Sequence, residues 1–262
     1  MVVMPTILRP SRALFRFSGP DAQKLLFDVV TGRLVAESGP PLWWALLSPQ
    51  GKIQAEGLSV WDNGAFFLDV DQSVGDSFLK RMKMYRLRAQ VEIDDLRETH
   101  AVGDDPAAAT SHVIGTKDEA AHWDAPDLRH DRERIAAGRA ELGPDYPPDA
   151  VFPHDIGMDL LGGVDFQKGC YIGQEVVSRM QHRGTARRRP VIVSGIEAQA
   201  GTPVVAGGRE AGAIGQVVDG KAVAIVRLDR FDGGAVTVGG KPVDVALPDW
   251  ATYRLGESAS AD

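Results

Sequence analysis

Apolar and polar residues alternate along the first hundred positions in blocks that predict a small α+β layer. Residues 14–17 have the pattern of a short strand, and residues 20–32 that of an amphipathic helix opened by proline and aspartate and closed by glycine. Three further apolar runs are separated by the turn sequences SPQG at 48–51 and DNG at 62–64. Such turn chemistry predicts an antiparallel meander. The apolar runs lie at 42–47, 53–60 and 65–70.

A second helix and a returning strand complete this layer. Apolar spacing predicts a helix over 75–87, and strand character returns at 89–93. Trp43 and Trp44 are adjacent on a predicted strand, so they must point to opposite faces. We expect one of them in the core and the other along a surface or pocket. The order of elements is typical of helices packed on an antiparallel sheet.

The composition changes twice after this layer. Residues 103–127 are rich in Asp, Ala and Pro, which predicts mobile loops with one strand at 112–114, and a helix is predicted at 129–138. After residue 189, short apolar runs separated by glycine pairs are typical of a small β-barrel or sandwich. No helix follows the glycine pairs, so they indicate turns and not a phosphate loop. The runs lie at 190–196, 203–205, 212–218, 221–228, 235–238 and 242–247.

Length and composition exclude several classes of protein. The chain has 262 residues and one cysteine, which excludes an intramolecular disulfide framework and fits a reducing compartment. No run reaches the roughly 20 apolar residues of a membrane span. The first residues also lack the apolar core of a signal peptide. We therefore expect a cytoplasmic protein without membrane association.

Residues 167–184, QKGCYIGQEVVSRMQHRG, carry the densest chemistry and contain the only cysteine, Cys170. Gly169 and Gly173 bracket the cysteine, which predicts a tight loop, and the pattern from Gln174 predicts a short helix. A thiol before a helix N-terminus and close to Lys168 is in surroundings that favour the thiolate. Free cysteine is also among the most buried residue types, so a small core residue is the other interpretation.

This stretch resembles the signature of the YgfZ family, folate-binding relatives of the aminomethyltransferase (GcvT) of the glycine cleavage system, with mitochondrial cousins that serve iron-sulfur proteins. The resemblance covers residues 134–184 well and the first hundred residues more loosely. The matching positions are Lys168, Gly169, Cys170, Tyr171, Gly173, Gln174, Glu175, Arg179, Arg183 and Gly184.

The resemblance implies a GcvT-like fold in which an antiparallel sheet with packed helices surrounds a central folate opening, followed by a small β-barrel. We accordingly predict a folate-binding α+β region at 1–186, a β-barrel domain at 187–255 and a disordered tail at 256–262. The implied function is that of a tetrahydrofolate-binding protein supporting assembly or repair of iron-sulfur enzymes. These clients would include enzymes that thiolate tRNA.

The resemblance also assigns roles to single residues. It makes Cys170 the reactive or gating thiol and the candidate catalytic residue, with positive charge from Lys168 and Arg179, and with Gln174 and Glu175 holding the loop. Tetrahydrofolate or a one-carbon derivative is the implied cofactor. The residues implied to contact it are Asp155, Lys168, Tyr171 and Arg183.

Asp155 falls where the aminomethyltransferases carry a glutamate that hydrogen-bonds the pterin ring. A carboxylate can accept two parallel N–H bonds from an aminopyrimidine edge. Asp155 is equally suited to the first turn of a helix. Tryptophans that contact folate in some relatives have no counterpart here, since the matching places hold Arg12 and His130.

The formal net charge of -7 argues against direct nucleic-acid binding. Basic residues nevertheless cluster at Arg183 and Arg187, Arg188 and Arg189, which is interpreted either as a site for an anion, such as the glutamate tail of a folate, or as a solvated linker. One cysteine cannot supply an ordinary four-cysteine cluster site, and no Cys/His spacing predicts a metal site.

Two alternative functions remain open. An aminomethyltransferase would need an acidic residue to handle the folate amine proton, and Asp76 is the candidate. An adaptor would use the arginine cluster to dock RNA or an acidic partner.

Overall fold

The computed structural model describes residues 6–105, 112–184 and 186–257, and these residues form two compact units. Unit 1 consists of Met1–Asp127 with Gly163–Gln174, and unit 2 of Leu128–Gly162 with Glu175–Asp262. Of the predicted tail, residues 258–262 lie outside the described part of the chain. No described helix is both long and apolar enough to cross a bilayer.

Unit 1 contains a five-stranded antiparallel sheet of order β3-β4-β5-β2-β6 and a three-stranded sheet of order β1-β7-β8. Its elements are β1 (Ile7–Leu8), β2 (Arg12–Ser18), α1 (Ala22–Val29), β3 (Leu42–Leu47), β4 (Ile53–Asp62), β5 (Ala65–Asp71), a 3-10 turn (Gln72–Val74), α2 (Gly75–Arg86), β6 (Glu92–Asp95), β7 (His100–Asp104), β8 (His112–Thr116) and α3 (Lys117–Ala120). The predicted strand-helix-meander-helix-strand order is confirmed.

Aromatic packing joins α2 to the larger sheet. The Phe78 ring lies 5.3 Å from that of Phe15 and 5.4 Å from that of Trp44, measured between centroids. Trp44 is fully buried, whereas the Trp43 indole is partly exposed and donates to Glu56 Oε2 at 2.6 Å. The prediction that the two tryptophans occupy opposite faces is therefore confirmed.

The strand predicted at 112–114 is confirmed, and the described residues around it are more regular than the predicted loops. Strands β7 and β8 pair in register from His100 opposite Thr116 to Asp104 opposite His112. Helix α3 then begins at a capping box, in which Thr116 and Glu119 satisfy each other's backbone N–H groups. Strand β7 precedes residues 106–111 in the chain and β8 follows them. Residues 106–111 themselves lie outside the described range.

Unit 2 contains a seven-stranded antiparallel sheet of order β14-β13-β10-β11-β12-β9-β15 that forms a nearly closed barrel. Its elements are α4 (Arg129–Ala136), a 3-10 turn (Pro153–Ile156), α5 (Gln174–Arg183, whose first residue belongs to unit 1), β9 (Arg188–Ser194), β10 (Pro203–Ala206), β11 (Arg209–Ile214), β12 (Lys221–Arg227), a 3-10 turn (Leu228–Arg230), β13 (Val236–Val238), β14 (Lys241–Pro242) and β15 (Asp244–Ala246). The predicted barrel is confirmed.

The barrel core consists of small and β-branched side chains, as the short apolar runs predicted. Val191, Val193, Val204, Ala222 and Ala224 are completely buried within it. Residues 128–162 pack with the barrel, since Arg134 of α4 donates to Gln216 Oε1 at 2.7 Å. The limits of independent domains at 186 and 255 stay a prediction.

Candidate functional site

The signature loop of unit 1 exposes its cysteine between two buried neighbours. Cys170 is exposed, whereas Lys168 and Tyr171 retain only 4% and 7% of their accessible surface. The predicted tight loop is confirmed, and the interpretation of Cys170 as a core residue is wrong. Burial of the residues on either side fixes the backbone that carries the thiol.

Lys168 fastens the loop to the end of α1. Its ammonium group donates to the carbonyl oxygens of Phe27 at 2.8 Å and Gly32 at 3.2 Å, and also to that of Val30. Carbonyl groups at a helix C-terminus carry partial negative charge and lack intrahelical donors, so a cation satisfies them. Burial lowers the pKa of Lys168 to about 8. The positive charge predicted beside Cys170 is therefore used to hold the loop.

Asp165 fixes the start of the same loop. One carboxylate oxygen accepts from the backbone N–H groups of Gln167 at 2.8 Å and Lys168 at 3.1 Å. The other lies 3.0 Å from Arg33 Nε. An Asx turn of this kind bends the chain without regular secondary structure.

Tyr171 and Gly173 close the loop on the other side of the thiol. The Lys168 ammonium lies 4.9 Å from the centre of the Tyr171 ring, a cation-π distance. The buried Tyr171 hydroxyl finds no hydrogen-bond partner among the described residues, and burial raises its pKa. Gly173 has φ of +80°, and an added Cβ would lie 2.7 Å from the Ser48 carbonyl oxygen in the β3-β4 turn. Only glycine fits there.

The signature residues of α5 lie on the surface. Arg179 Nη2 is 2.6 Å from Glu175 Oε1, and both side chains are more than half exposed. This is an i,i+4 pair of the kind found on solvated helices. The Glu175 side chain pairs with Arg179 and not with the cysteine loop, so its predicted role in holding the loop stays a prediction. Arg183 is exposed in the last turn of the helix.

Asp155 is the third residue of the 3-10 turn Pro153–Ile156 in unit 2, where its carboxylate is already engaged. Its Oδ2 accepts from the Phe152 N–H at 2.9 Å and from Arg188 Nη2 at 2.5 Å. The interpretation as a helix-entry residue is confirmed. Contact with folate stays a prediction, and it would require the carboxylate to share or release Arg188.

Half of the arginine cluster is built into the fold of unit 2, whereas Arg183 and Arg187 are exposed. Arg189 forms a two-pronged pair with Asp159, at 2.7 and 2.9 Å, and its guanidinium lies 5.4 Å from the centre of the Tyr253 ring. Arg188 binds Asp155 as described above. Arg188 and Arg189, at the start of β9, are therefore neutralised by the buried carboxylates of Asp155 and Asp159.

An open cavity of about 280 Å³ adjoins this ion pair in unit 2. Burial lowers the pKa of His154, which makes the imidazole neutral near pH 7. The cavity thus combines a neutral histidine with a compensated ion pair, and the sequence did not reveal it. It is lined by His154, Asp159, Leu160, Met180, Gln181, Gly184, Ala186, Arg189, Leu228, Thr252, Tyr253 and Glu257.

The candidate acid Asp76, and the two residues that stand in place of the relatives' tryptophans, are engaged elsewhere. Asp76 is 89% exposed in its side chain and accepts from Arg97 Nη1 at 2.7 Å, a poor setting for a proton-transferring acid. Arg12 is buried, and its Nε lies 2.5 Å from Asp69 Oδ2. His130 Nε2 lies 3.2 Å from Glu141 Oε2. Within the described ranges, no group of three or more His, Cys, Asp or Glu side chains converges as metal ligands.

The structure thus joins Lys168, Cys170 and Tyr171 in one loop of unit 1. Asp155 and Arg183 belong to unit 2. The hydrogen bonds of the Asp155 carboxylate go to Phe152 and Arg188 and not to Arg183. The sequence reasoning did not find the buried set formed by Arg12, Asp69 and His112, because its members come from three separate strands.

Known proteins resemble this chain both in the sequence of its barrel and in its fold. Residues 186–253 match the family model of the CAF17 C-terminal beta-barrel domain, which coincides with the predicted barrel. The fold resembles the crystal structure of the glycine cleavage system aminomethyltransferase T from Bartonella henselae with a TM-score of 0.73 at 13% identity, covering 95% of this chain and 87% of that one. The predicted GcvT-like fold is confirmed.

Curated relatives are named as mitochondrial iron-sulfur cluster assembly factors. The IBA57 homolog of Chaetomium globosum is 30% identical over 237 residues, covering 68% of this chain and 53% of the relative. IBA57 of Mus musculus is 28% identical over 298 residues, which cover 91% of this chain and 83% of the mouse protein. The human protein is 26% identical with the same coverage. The chain spans about half the length of the fungal relatives that it matches.

These relatives overturn one expectation. The prediction of a cytoplasmic location is contradicted, because the names of the relatives place them in the mitochondrion. The signal-peptide argument for the cytoplasm therefore does not hold.

Proposed function

We propose that this protein is an iron-sulfur cluster assembly or repair factor whose working part is the loop around Cys170. The relatives described above carry that function in their names. Their resemblance extends over 91% of the chain in the mammalian proteins, so it includes the signature as well as the barrel.

The observation that carries the proposal is the exposed thiol on a loop fastened at both ends. Lys168 holds one side through three backbone carbonyls, and the backbone at Gly173 approaches the β3-β4 turn too closely to admit a side chain. A loop built only for stability would gain more by burying the cysteine. Presentation of one thiol in a fixed position instead suits contact with a partner.

A single thiol limits the chemistry. Iron-sulfur clusters are ordinarily held by four cysteine thiolates, so Cys170 could supply only one ligand to a cluster. The cluster is then cargo, and the remaining ligands belong to the client or carrier protein. A cysteine binds a metal or attacks as a nucleophile in its thiolate form.

Folate binding of the YgfZ type, with iron-sulfur enzymes that thiolate tRNA among the clients, is the finer part of this proposal. The aminomethyltransferase-like fold supports it. The predicted contact residues fit less well, because Asp155 is engaged by Arg188 and Lys168 by three carbonyls. The role proposed for Cys170 therefore does not depend on folate.

Complementation tests the thiol. Cells lacking this gene receive either the native protein, Cys170→Ser, or Gln167→Ala as a matched change at an exposed residue of the same loop. All three are brought to equal abundance, and iron-sulfur enzyme activities are measured. We expect rescue by the native protein and by Gln167→Ala, and none by Cys170→Ser. Equal rescue by all three would remove Cys170 from the mechanism.

Thermal stability with added tetrahydrofolate tests the finer proposal. A ligand at about 100 times its dissociation constant adds roughly 2.7 kcal/mol to the free energy of unfolding. We expect such a shift for the native protein and a smaller one for Asp155→Asn. Failure of any folate to raise the melting temperature would end the folate proposal and leave the assembly proposal intact.

An aminomethyltransferase remains the second candidate because the fold is that of such an enzyme. Its predicted acid, Asp76, is exposed and bound by Arg97. Measurable transfer of a one-carbon unit to tetrahydrofolate, abolished by Asp76→Asn, would favour this candidate over the first.

A further inference from the structure

The end of α2 in unit 1 carries an unusual concentration of positive charge. Residues 80–88, KRMKMYRLR, contain five of the 29 basic side chains of the chain and no acidic one. The whole protein has 36 acidic side chains and a net charge of -7, so the remainder of the molecule is more negative still. This segment is therefore a local positive area on an acidic protein.

The outward face of this segment is also apolar at its centre. Met84 is 57% exposed and Leu87 is 84% exposed, and both are among the few large hydrophobic side chains that lie open to solvent in the described chain. Lys80 lies one helical turn before Met84, and Lys83 precedes it directly, so the charges surround the apolar pair. We call Lys80, Lys83, Met84, Leu87 and Arg88 the α2 surface.

The cations of this surface form no close ion pair with the described residues around them. The acidic residues at the start of α2 and on β6, Asp76 and Asp95, are both bound by Arg97. Among the ion pairs of the described residues, none includes Lys80, Lys83 or Arg88. The five side chains are thus free to meet a partner.

Leu87 holds a costly backbone conformation at the centre of the surface. As the residue that ends α2, it has φ of +41° and ψ of -103°. An L-residue with a large side chain adopts positive φ only at an energetic cost, and glycine is the usual choice at such a helix end. Strain of this kind concentrates at binding and functional sites. The fold gains nothing from the leucine, since its side chain remains in solvent.

We propose that the α2 surface docks an acidic segment of a partner protein, with carboxylates facing the basic residues and an apolar side chain covering Met84 and Leu87. A compact acidic segment touches only this positive area. A membrane or a long nucleic acid presents an extended negative surface that the acidic remainder of this protein would repel. Charge complementarity of this kind sets specificity and association rate.

A fluorescein-labelled peptide of glutamates with interspersed leucines tests the proposal against the full chain, read by fluorescence anisotropy at several salt concentrations. A peptide in which serines replace the leucines reports the apolar contribution. Vesicles of phosphatidylcholine with phosphatidylserine and a single-stranded RNA serve as the other anionic probes. Arg86 is left unchanged in the variants, because its guanidinium lies 3.4 Å from the Val91 carbonyl oxygen.

The native protein should bind the leucine-containing peptide more tightly than the serine peptide. The triple variant Lys80→Glu, Lys83→Glu, Arg88→Glu should weaken binding by at least about tenfold and flatten the salt dependence. Leu87→Ser should weaken binding by about threefold to tenfold while keeping the salt dependence. The control triple Lys117→Glu, Lys221→Glu, Arg254→Glu changes three exposed cations elsewhere by the same charge and should leave affinity within about twofold.

Four results would overturn the proposal. The native protein fails to bind the peptide, or the control triple weakens binding as much as the α2 triple. Vesicles or RNA bind in an α2-dependent manner while the peptide does not. Light scattering shows a dimer that Leu87→Ser converts to monomer, in which case a second copy of this chain covers the surface.

Discussion

The Lys168 ammonium group and the Phe27 carbonyl oxygen lie 2.8 Å apart, and this contact ties the cysteine loop to the first helix of the chain. Val30 and Gly32 supply two further acceptors to the same ammonium. Lys168 therefore has a structural role, because it anchors the loop that carries the thiol. The position of Cys170 depends on this lysine.

Replacing Lys168 by Met should destabilise unit 1. The change leaves three carbonyl oxygens at the end of α1 without their donor, and unsatisfied buried polar groups cost about 1–3 kcal/mol. We expect a loss of about 2–3 kcal/mol in the free energy of unfolding, measured in urea. Lys24→Met, which removes an exposed cation of α1 paired with Asp28, should produce no measurable change. Equal stability of both variants would contradict the fastening role.

Gly173→Ala should disturb the loop more than an alanine at a glycine with similar φ in open space. Gly162 has φ of +76° with no atom near its potential Cβ, whereas at Gly173 the Cβ would approach Ser48. Gly162→Ala should cost about 1 kcal/mol from backbone strain alone. Gly173→Ala should cost at least about 2 kcal/mol and change the rate at which Cys170 reacts with a maleimide. Identical costs would mean that the loop moves aside freely.

Arg189→Ala should be far more damaging than the loss of an exposed arginine of the barrel. Asp159 has a side chain only 3% exposed, and its partner Arg189 is 12% exposed. Removing one member of a buried pair leaves an uncompensated charge and costs about 3–5 kcal/mol. Arg209→Ala breaks the pair with Asp232, in which both side chains are about half exposed, and should cost less than about 1 kcal/mol. Chemical unfolding of both variants measures the difference.

His112 should make the protein sensitive to mild acid. Its side chain is buried beside Asp69, Arg12, Arg9 and Asp104, and burial lowers its pKa below the ordinary value of 6.5. The unfolded chain takes up this proton near pH 6.5, but the folded chain does so only at lower pH. The free energy of unfolding should therefore fall as pH drops below 6.5, and His112 alone contributes up to about 1.4 kcal/mol per pH unit.

The pH dependence can be assigned by substitution. His154 also has a lowered pKa because of burial and contributes in the same direction. His112→Leu should therefore reduce the slope below pH 6.5 without abolishing it. An unchanged slope in His112→Leu would show that the buried imidazole does not titrate in this range.

Leu87→Gly should stabilise the protein while weakening peptide binding. Glycine tolerates positive φ, so the substitution relieves the strain at the end of α2. We expect a gain of about 0.5–1 kcal/mol in the free energy of unfolding. A loss of stability would mean that Leu87 contributes to the fold.

Local patterns predicted most of the elements of this fold. The three strands of the meander and the helices α1, α2 and α5 carry periodic apolar residues and clear turn or stop signals, and each was found close to its predicted limits. Strands β7 and β8 were not predicted in full, because they are short, contain Gly and Asp, and depend on each other for pairing.

Long-range contacts account for the features of the fold and site that the sequence did not predict. The contact of Lys168 with Val30 spans 138 positions, and that of Arg12 with Asp69 spans 57. No periodicity relates such residues, so the fastening of the loop and the buried charges of the sheet could be known only from the folded chain. The exposure of Cys170 followed from these contacts and not from its neighbours in sequence.

The fastening of Lys168 to α1 also sets an order of events when the chain is made. Residues of α1 leave the ribosome long before residue 168, and closing a contact over 138 positions is slow compared with forming the local helix and meander. Until that closure, Cys170 lies on an unanchored segment. The presented thiol is thus a late product of folding, and a chain interrupted before Gly173 would contain the cysteine without the geometry that directs it.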